Sequence, residues 1–427
     1  MPVWLLELQI LTDMTLRRAT IEEALNAMSS HRVRRAQSER VTLAAASGRI
    51  LSGPVIAPED VPPFTRSRVD GFAVVADDVR GASQSKPVAL AIKGDVQMGR
   101  PAGAALQAGE AIRIPTGGML PAGATGVVMI EDTQVRDGVV EIHDESHCSD
   151  NLTRAGYDVR RGAELLQAGR VLDPGSIGML AGAGVAELAV YRKPSVALLV
   201  TGDELVESDG TPLQPGQIRD INRLSLSAML AALGFAPRAY PRVPDDRAAF
   251  ARAFDGALAE NDALVISGGS SVGERDYTPD VVAAAGEPGV IVHGIRAKPG
   301  RPTLLAVVGE KLVIGLPGNP VSALVMLEAL GKPLLLRMFD KRDETIPVRA
   351  VLAADIHADD ELEFRIPVKL RRARGDRPAA EPIIGTSAQM HILGLADAIV
   401  VAPMGAGRIR AGTEVDAIPF TRSTSLR

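Results

Sequence analysis

Ala263-Leu-Val-Ile-Ser267 opens directly into Gly268-Gly-Ser-Ser-Val-Gly-Glu-Arg-Asp276. It is followed by Arg296-Ala-Lys-Pro-Gly-Arg-Pro302 and then by Leu316-Pro-Gly-Asn-Pro-Val-Ser-Ala323. A short apolar run that breaks into glycines ahead of a helix-like segment is how an α/β protein turns backbone N–H groups towards an anion. Gly268, Gly269 and Gly273 allow positive φ or close approach, and Ser270 and Ser271 add hydroxyl donors. Lys298 and Arg301 flank a turn stiffened by Pro299 and Gly300, which suits phosphate or another oxyanion. Pro317, Gly318 and Asn319 lead into a helix with Pro320 at its first position. Singly, each block is an ordinary turn between a strand and a helix. Together they read as one pocket.

Working outward, Val196-Ala-Leu-Leu-Val200 is a buried-strand pattern that ends in Thr201-Gly-Asp-Glu204. Leu226, Met229, Leu230 and Leu233 make a helix stripe stopped by Gly234, and Phe250, Phe254 and Leu258 make another. Strands alternating with helices predict a parallel sheet covered on both faces, with ligands beyond the carboxyl ends of its strands. After about residue 344 the helix patterns vanish and strand runs at 346–352, 362–370 and 398–402 predict a small β-barrel. At the other end, Thr20-Ile-Glu-Glu23 is a capping box, with Ile21, Ala24, Leu25 and Met28 on one helix face. Residues 42–51 read as a second helix and Pro58-Glu-Asp-Val-Pro-Pro63 as a stiff linker. From 64 to 155, short apolar runs broken by glycines predict a small β domain, and 177–183 a helix of small residues. Val3-Trp-Leu-Leu-Glu-Leu-Gln-Ile-Leu11 is either a docked extension or sequence ahead of a start at Met14.

The same blocks resemble those of the MoeA / gephyrin E-domain family, the molybdopterin molybdenumtransferases. The family pattern GGxSxGxxDY falls on 268–277, KPGKP on 298–302 and LPGNPVSA on 316–323. Further matching blocks are Val69-Asp-Gly-Phe-Ala73, Arg113-Ile-Pro-Thr-Gly117, Val200-Thr-Gly-Asp-Glu204 and Gly216-Gln-Ile-Arg-Asp-Ile-Asn222. They span nearly the whole chain in family order. The resemblance implies an elongated multidomain α/β plus β chain: an N-terminal part from 14–63 and 156–193, a β domain inserted at 64–155, a doubly wound molybdopterin-binding-like α/β domain at 194–343, and a C-terminal β-barrel at 344–427. It implies a cytoplasmic transferase that inserts molybdate into adenylylated molybdopterin with Mg²⁺ and releases AMP with the cofactor. It also implies a homodimer with sites shared between subunits, and dealings with a molybdopterin adenylyltransferase and with molybdoenzymes.

Carried over residue by residue, the resemblance places Asp70, Thr116, Glu204, Asp276, Lys298 and Arg301 in the catalytic machinery. It makes Glu204 and Asp276 the expected metal ligands and aligns Ser387 with a serine near the substrate. Read without the family, Asp203-Glu204 after a buried strand and near an anion loop suits a hydrated Mg²⁺, which takes few oxygen ligands. Asp245-Asp246 is either an N-cap pair or a further acid of the site. The chain departs from the family at Thr65, where an acid is usual, at Arg301, usually Lys, and at Ile366, where the family has Arg; Arg365 stands beside it. Those departures keep open a second reading, a non-catalytic carrier or scaffold for molybdopterin.

Composition narrows the classes. The 427 residues exceed a single core, and 46% apolar with 23% charged residues is ordinary for a globular protein. A net charge of −5 and 3% aromatic residues argue against a general nucleic-acid binder. One cysteine, Cys148, allows neither an internal disulfide nor a cysteine zinc site. No run of the sequence has the length and apolarity of a membrane span.

Overall fold

The computed structural model describes residues 18–103, 105–268, 277–372 and 376–421. It contains two compact units. One is Arg40–Val190, and the other takes the chain up to Glu39 and from Tyr191 onward.

The Arg40–Val190 unit is built on a six-stranded sheet of β1 (Gly71–Val74), β2 (Val88–Asp95), β3 (Glu110–Ile114), β4 (Gly126–Met129), β5 (Thr133–Arg136) and β6 (Val139–Ile142), in the order β4-β1-β3-β2-β6-β5. Phe72, Leu90, Val128, Val140 and Ile142 fill one of its cores. The chain enters and leaves this sheet along antiparallel ladders, Val55–Ile56 beside Glu164–Leu166 and Arg66–Ser67 beside Leu152–Thr153. The small-residue helix is α1 (Pro174–Gly182), capped by Asp173, whose carboxylate accepts from the Ser176 N–H at 2.7 Å.

The helix expected at 42–51 is absent. A single 3₁₀ turn, Leu43–Ala45, is followed by Gly48 at φ 72°, and Ile50 and Leu51 bridge to Val171 and Val190. Backbone pairing across the chain overrides the apolar pattern there, and the positive φ at Gly48 ends any helical run.

In the second unit the capping box forms as the sequence predicts. The Thr20 hydroxyl accepts from Glu23 N–H at 3.1 Å, and the Glu23 carboxylate accepts from Thr20 N–H at 2.8 Å, starting the helix Ile21–Ser29. The central domain contains β7 (Ser195–Val200), α2 (Asn222–Ala232), β8 (Ala236–Ala239), α3 (Arg247–Glu260), β9 (Ala263–Ser267), α4 (Thr278–Ala284), β10 (Pro288–His293), β11 (Leu304–Val308), β12 (Lys311–Leu316) and α5 (Pro320–Met326). Its six strands run β8-β7-β9-β12-β11-β10. Ala197, Leu199, Leu264 and Ile266 pack with Phe250 and Phe254 of α3. The alternate residues Val196, Leu198 and Val265 are equally buried on the other face, where α2 covers β7.

This sheet is mixed, not fully parallel. β8, β7, β9 and β12 are parallel, but β11 is antiparallel to both β10 and β12. β11 and β12 are joined by Gly309 and Glu310 alone, with Gly309 at φ 63°, and so short a connection permits only a hairpin.

After α5 the helix widens into one π turn, Leu327–Gly331, and resumes as α6 (Lys332–Leu336). The C-terminal domain comprises β13 (Val348–Leu352), β14 (Glu363–Arg371), β15 (Ala379–Pro382), α7 (His391–Leu395), β16 (Ala398–Ala402) and β17 (Glu414–Pro419). Its strands close as β14-β15-β13-β17-β16-β14, a five-stranded barrel. Ala350, Ala380, Ala398, Ala402 and Ala417 line much of the interior, since a barrel this narrow admits few large side chains.

Candidate active site

The parallel strands β7, β9 and β12 are neighbours, so their carboxyl ends deliver Thr201-Gly202, Gly268 and Pro317-Gly318 to one place. These residues line a cavity of about 790 Å³. Gly268 has φ 92°, and a Cβ there would lie 2.7 Å from both the carbonyl and the hydroxyl oxygen of Thr201, so only glycine lets β7 and β9 end this close together. Asn222, at the start of α2 and 5% exposed, donates both amide hydrogens, to Ser267 Oγ and to the Gly318 carbonyl, each at 2.7 Å. It is a strut between the ends of β9 and β12. The matching block ended on this residue, but nothing in its type or spacing announced the role.

Glu204 lies on the cavity wall, with both carboxylate oxygens 3.0 Å from where a Gly202 Cβ would sit. Its neighbour Asp203 is committed elsewhere. Arg242 donates to Asp203 Oδ1 at 3.0 Å and to the Gly202 carbonyl at 3.1 Å. Asp245 and Asp246 divide the two expectations between them. Asp246 caps α3, accepting from Ala249 N–H at 2.7 Å, whereas Asp245 lines the cavity. Asp203 and Asp245 each accept from the other's backbone N–H at 3.4 Å, which holds the two loops together.

Asp220 is an acid that the sequence reading did not single out. It lines the same cavity, is 6% exposed and accepts from Arg223 N–H at 3.0 Å. Burial raises its pKa, partly offset by that hydrogen bond and by the nearby Arg223 guanidinium. Arg223 itself reaches Glu207 at 2.5 Å.

The Lys298–Pro302 turn sits differently from the glycine ends. Pro302 lines the cavity, but Lys298, Pro299, Gly300 and Arg301 are not on its wall. Lys298 is exposed and its ammonium stands 5.1 Å over the Phe364 ring of β14; Arg301 is exposed as well. Gly300, buried at φ 119°, faces the Met326 side chain so closely that a Cβ would overlap it. Its reason for being glycine is therefore packing against α5.

Pro317, Gly318 and Asn319 all line the cavity. The Asn319 side chain does not cap α5; it donates to Ser387 Oγ at 3.1 Å, while the Ser387 carbonyl accepts from Val321 N–H at 3.2 Å. Ser387 is thus fixed at the start of α5, and its neighbours Ala388 and Met390 bring the barrel domain onto the cavity wall. Arg365 donates through Nε to Glu363 Oε1 at 2.7 Å.

In the Arg40–Val190 unit the two expected residues meet. Asp70 Oδ1 accepts from Thr116 N–H at 2.7 Å and from the Thr116 hydroxyl at 3.1 Å, on an exposed edge where β1 begins and β3 ends. The Thr65 hydroxyl accepts from Ala155 N–H at 3.3 Å, so the residue in the family acid's place ties the unit together. Gly269, Ser270, Ser271, Gly273 and Asp276 lie outside the described residues, as does the segment around Met14. Among the described residues there is no group of three or more His, Cys, Asp or Glu side chains placed to hold a metal ion.

Comparison with known proteins matches three family models along the chain. They are the MoeA N-terminal region (domain I and II) over residues 19–184, a probable molybdopterin binding domain over 197–337, and the MoeA C-terminal region (domain IV) over 349–420. Molybdopterin molybdenumtransferase 2 of Mycobacterium tuberculosis is 35% identical over 389 residues, covering 89% of this chain and 95% of that protein. The molybdopterin molybdenumtransferase of Haemophilus influenzae is 36% identical over 320 residues, covering 75% and 77%. A crystal structure of the molybdopterin biosynthesis MoeA protein of Pyrococcus horikosii superposes with a TM-score of 0.85 at 33% identity, covering 95% of this chain and 99% of that one.

Proposed function

Because the chain belongs to the MoeA family of molybdopterin molybdenumtransferases, we propose that the cavity beyond β7, β9 and β12 is where it carries out the family reaction. The enzyme inserts molybdenum into molybdopterin. In the finer form of the proposal, the substrate is molybdopterin carrying an adenylyl group, molybdate is the metal source, and AMP leaves. The observation that supports this most is the convergence of three separate sequence blocks on one wall. Thr201-Gly202, Gly268 and Pro317-Gly318 expose backbone at the carboxyl ends of parallel strands, where open α/β sheets hold phosphorylated ligands.

The donor chemistry fits Mg²⁺. Glu204 and Asp245 both line the cavity, and Mg²⁺ is commonly held by one or two carboxylates together with substrate phosphates. Glu204 would hold it, with Asp276 as the second ligand by family pattern. When bound, it neutralises charge on the phosphate that leaves. The chain's own residues orient the substrate. The Asn222 strut keeps the ends of β9 and β12 at fixed spacing, and the exposed Lys298 and Arg301 would supply positive charge to an approaching polyanion.

The four-part division into 14–63 with 156–193, 64–155, 194–343 and 344–427 belongs to the same reading. So does a homodimer in which the Asp70–Thr116 edge of one subunit completes the site of its partner, and a cytoplasmic setting. Among the described residues no helix is long and apolar enough to cross a membrane.

Incubation with adenylylated molybdopterin, molybdate and Mg²⁺ should release AMP. Tight pterin binding with no AMP under any divalent metal would favour the carrier reading. For the dimer, a Thr116→Ala chain and an Asp276→Asn chain should each be weak alone and regain activity as a heterodimer. No recovery in a folded heterodimer would place each site within one chain.

A further inference from the structure

The helix α5 starts at the cavity, where Asn319 and Pro320 are on the wall, and widens into the Leu327–Gly331 π turn on its way to α6. In that stretch stand two charged side chains that the reaction does not use: Glu328, 4% exposed, and Lys332, 7% exposed. Each is fully engaged. The Glu328 carboxylate accepts from Thr421 N–H at 2.9 Å, from the Thr421 hydroxyl at 3.0 Å and from Lys332 Nζ at 2.8 Å. Lys332 Nζ also donates to Thr345 Oγ1 at 2.5 Å and lies 3.1 Å from Asp343 Oδ1.

These partners come from two particular places. Asp343 and Thr345 precede β13, where the chain enters the barrel. Thr421 follows β17, where it leaves. Entry and exit of the barrel are therefore held by one i, i+4 pair on the helix that begins at the site.

A buried ion pair adds little stability over an apolar pair of the same size, because desolvation offsets most of the attraction. What it does add is a single geometry, since every donor and acceptor must find its partner. A π turn in the same stretch is a second departure from plain helix, of a kind concentrated at functional positions. We propose that Glu328 and Lys332 are positioning residues for the transferase reaction: they seat the barrel on the core so that its 387–390 segment closes one side of the cavity. Beside this network, the barrel meets the core through the Ser387 bonds to Asn319 and Val321, the packing of α7 against α5, and, away from the cavity wall, the two-residue ladder of Ala297-Lys298 with Glu363-Phe364. They keep their register only while the two roots of the barrel are fixed.

Thr421→Val and Thr345→Val test this mildly, because each strips one hydroxyl from the network and leaves the ion pair paired. The kinetic arm rests on the proposed reaction; the exchange arm does not. The barrel residues on the wall, Ala388 and Met390, offer only apolar contact, which holds ground state and transition state alike. Loosening the barrel should therefore raise KM by about fivefold or more, with kcat changed by less than about twofold. Amide exchange across 383–396 should quicken by about tenfold, while β7, β9 and β12 keep their protection. Thr421→Ser, which restores the hydroxyl, should restore both. Parental KM and parental exchange in both folded variants would overturn the proposal. So would faster exchange with parental KM, since the network would then hold the barrel without serving the site.

Discussion

Gly300 is the residue on which the Lys298–Pro302 turn depends, and replacing it with alanine allows the packing argument to be tested quantitatively. Two costs arise. At φ 119° an L side chain is strained, which costs about 1–3 kcal/mol. The new Cβ also overlaps the sulfur and γ-carbon of Met326, a fully buried side chain with no free space to turn into. Overpacking of that kind costs about 1–3 kcal/mol more. Gly300→Ala should therefore lose about 4 kcal/mol, or roughly 8–16 °C in the melting of the central domain at about 2–4 °C per kcal/mol. Met326→Ala alone should cost about 2–5 kcal/mol through the cavity it leaves. In the double variant the overlap disappears but the strain remains, so the combined loss should fall short of the sum by about 1–3 kcal/mol. Scanning calorimetry on the four proteins, checked by urea unfolding at constant slope, measures every term. A Gly300→Ala protein within about 1 kcal/mol of the parent, or strict additivity with Met326→Ala, would refute the account of why glycine stands there.

Glu204→Gln should lower turnover far more than pterin affinity, because a carboxylate that places a cation acts mainly on the transition state; equal turnover at saturating Mg²⁺ would remove Glu204 from the site. Burial raises the Asp220 pKa above its ordinary 3.8, so the folded state favours the protonated acid. That contribution is complete below the unfolded pKa and is lost as pH rises through the folded one, so Asp220→Asn should flatten the fall in melting temperature from about pH 4 upward. An unchanged pH profile in Asp220→Asn would count against it. The Cys148 thiol is pushed up to about 11, first by burial and then by Glu145. At about pH 8 it should react with a disulfide reagent only as fast as the Arg40–Val190 unit opens, and immediate reaction in the native protein would contradict its buried placement.

Part of the central domain was legible because β7 and β9 are apolar runs that soon break into glycine. The runs at 196–200 and 263–267 read as buried strands, and the glycines that follow them pointed to one crevice. The hairpin of β11 and β12 was written as plainly in Gly309-Glu310, yet helix–strand alternation upstream favoured a fully parallel sheet. Residues 42–51 misled for a physical reason: Leu43, Ile50 and Leu51 carry a helix-like spacing, but their backbone is claimed by partners more than a hundred residues away. The Asn222 strut was hidden because an asparagine's partners are set by tertiary placement. Glu328 and Lys332 were hidden by their very spacing, since an i, i+4 pair usually lies on a solvated face. Asp70 and Thr116 were chosen through resemblance alone; the structure shows them hydrogen-bonded to each other.

The paired ladders at the neck of the inserted sheet have a consequence for engineering. Ser67 and Leu152 are direct antiparallel partners, so the chain departs and returns through points only about 5 Å apart. Everything between them is a cassette. Excising 68–151 and bridging the gap with a two-residue Asn-Gly turn would impose almost no new closure entropy on the remainder, and a foreign sheet with adjacent termini could be spliced into the same socket. In such a chimera the remainder would keep its own hydrophobic cluster around Leu51, Leu172, Leu180 and Val190, none of which is drawn from the excised segment.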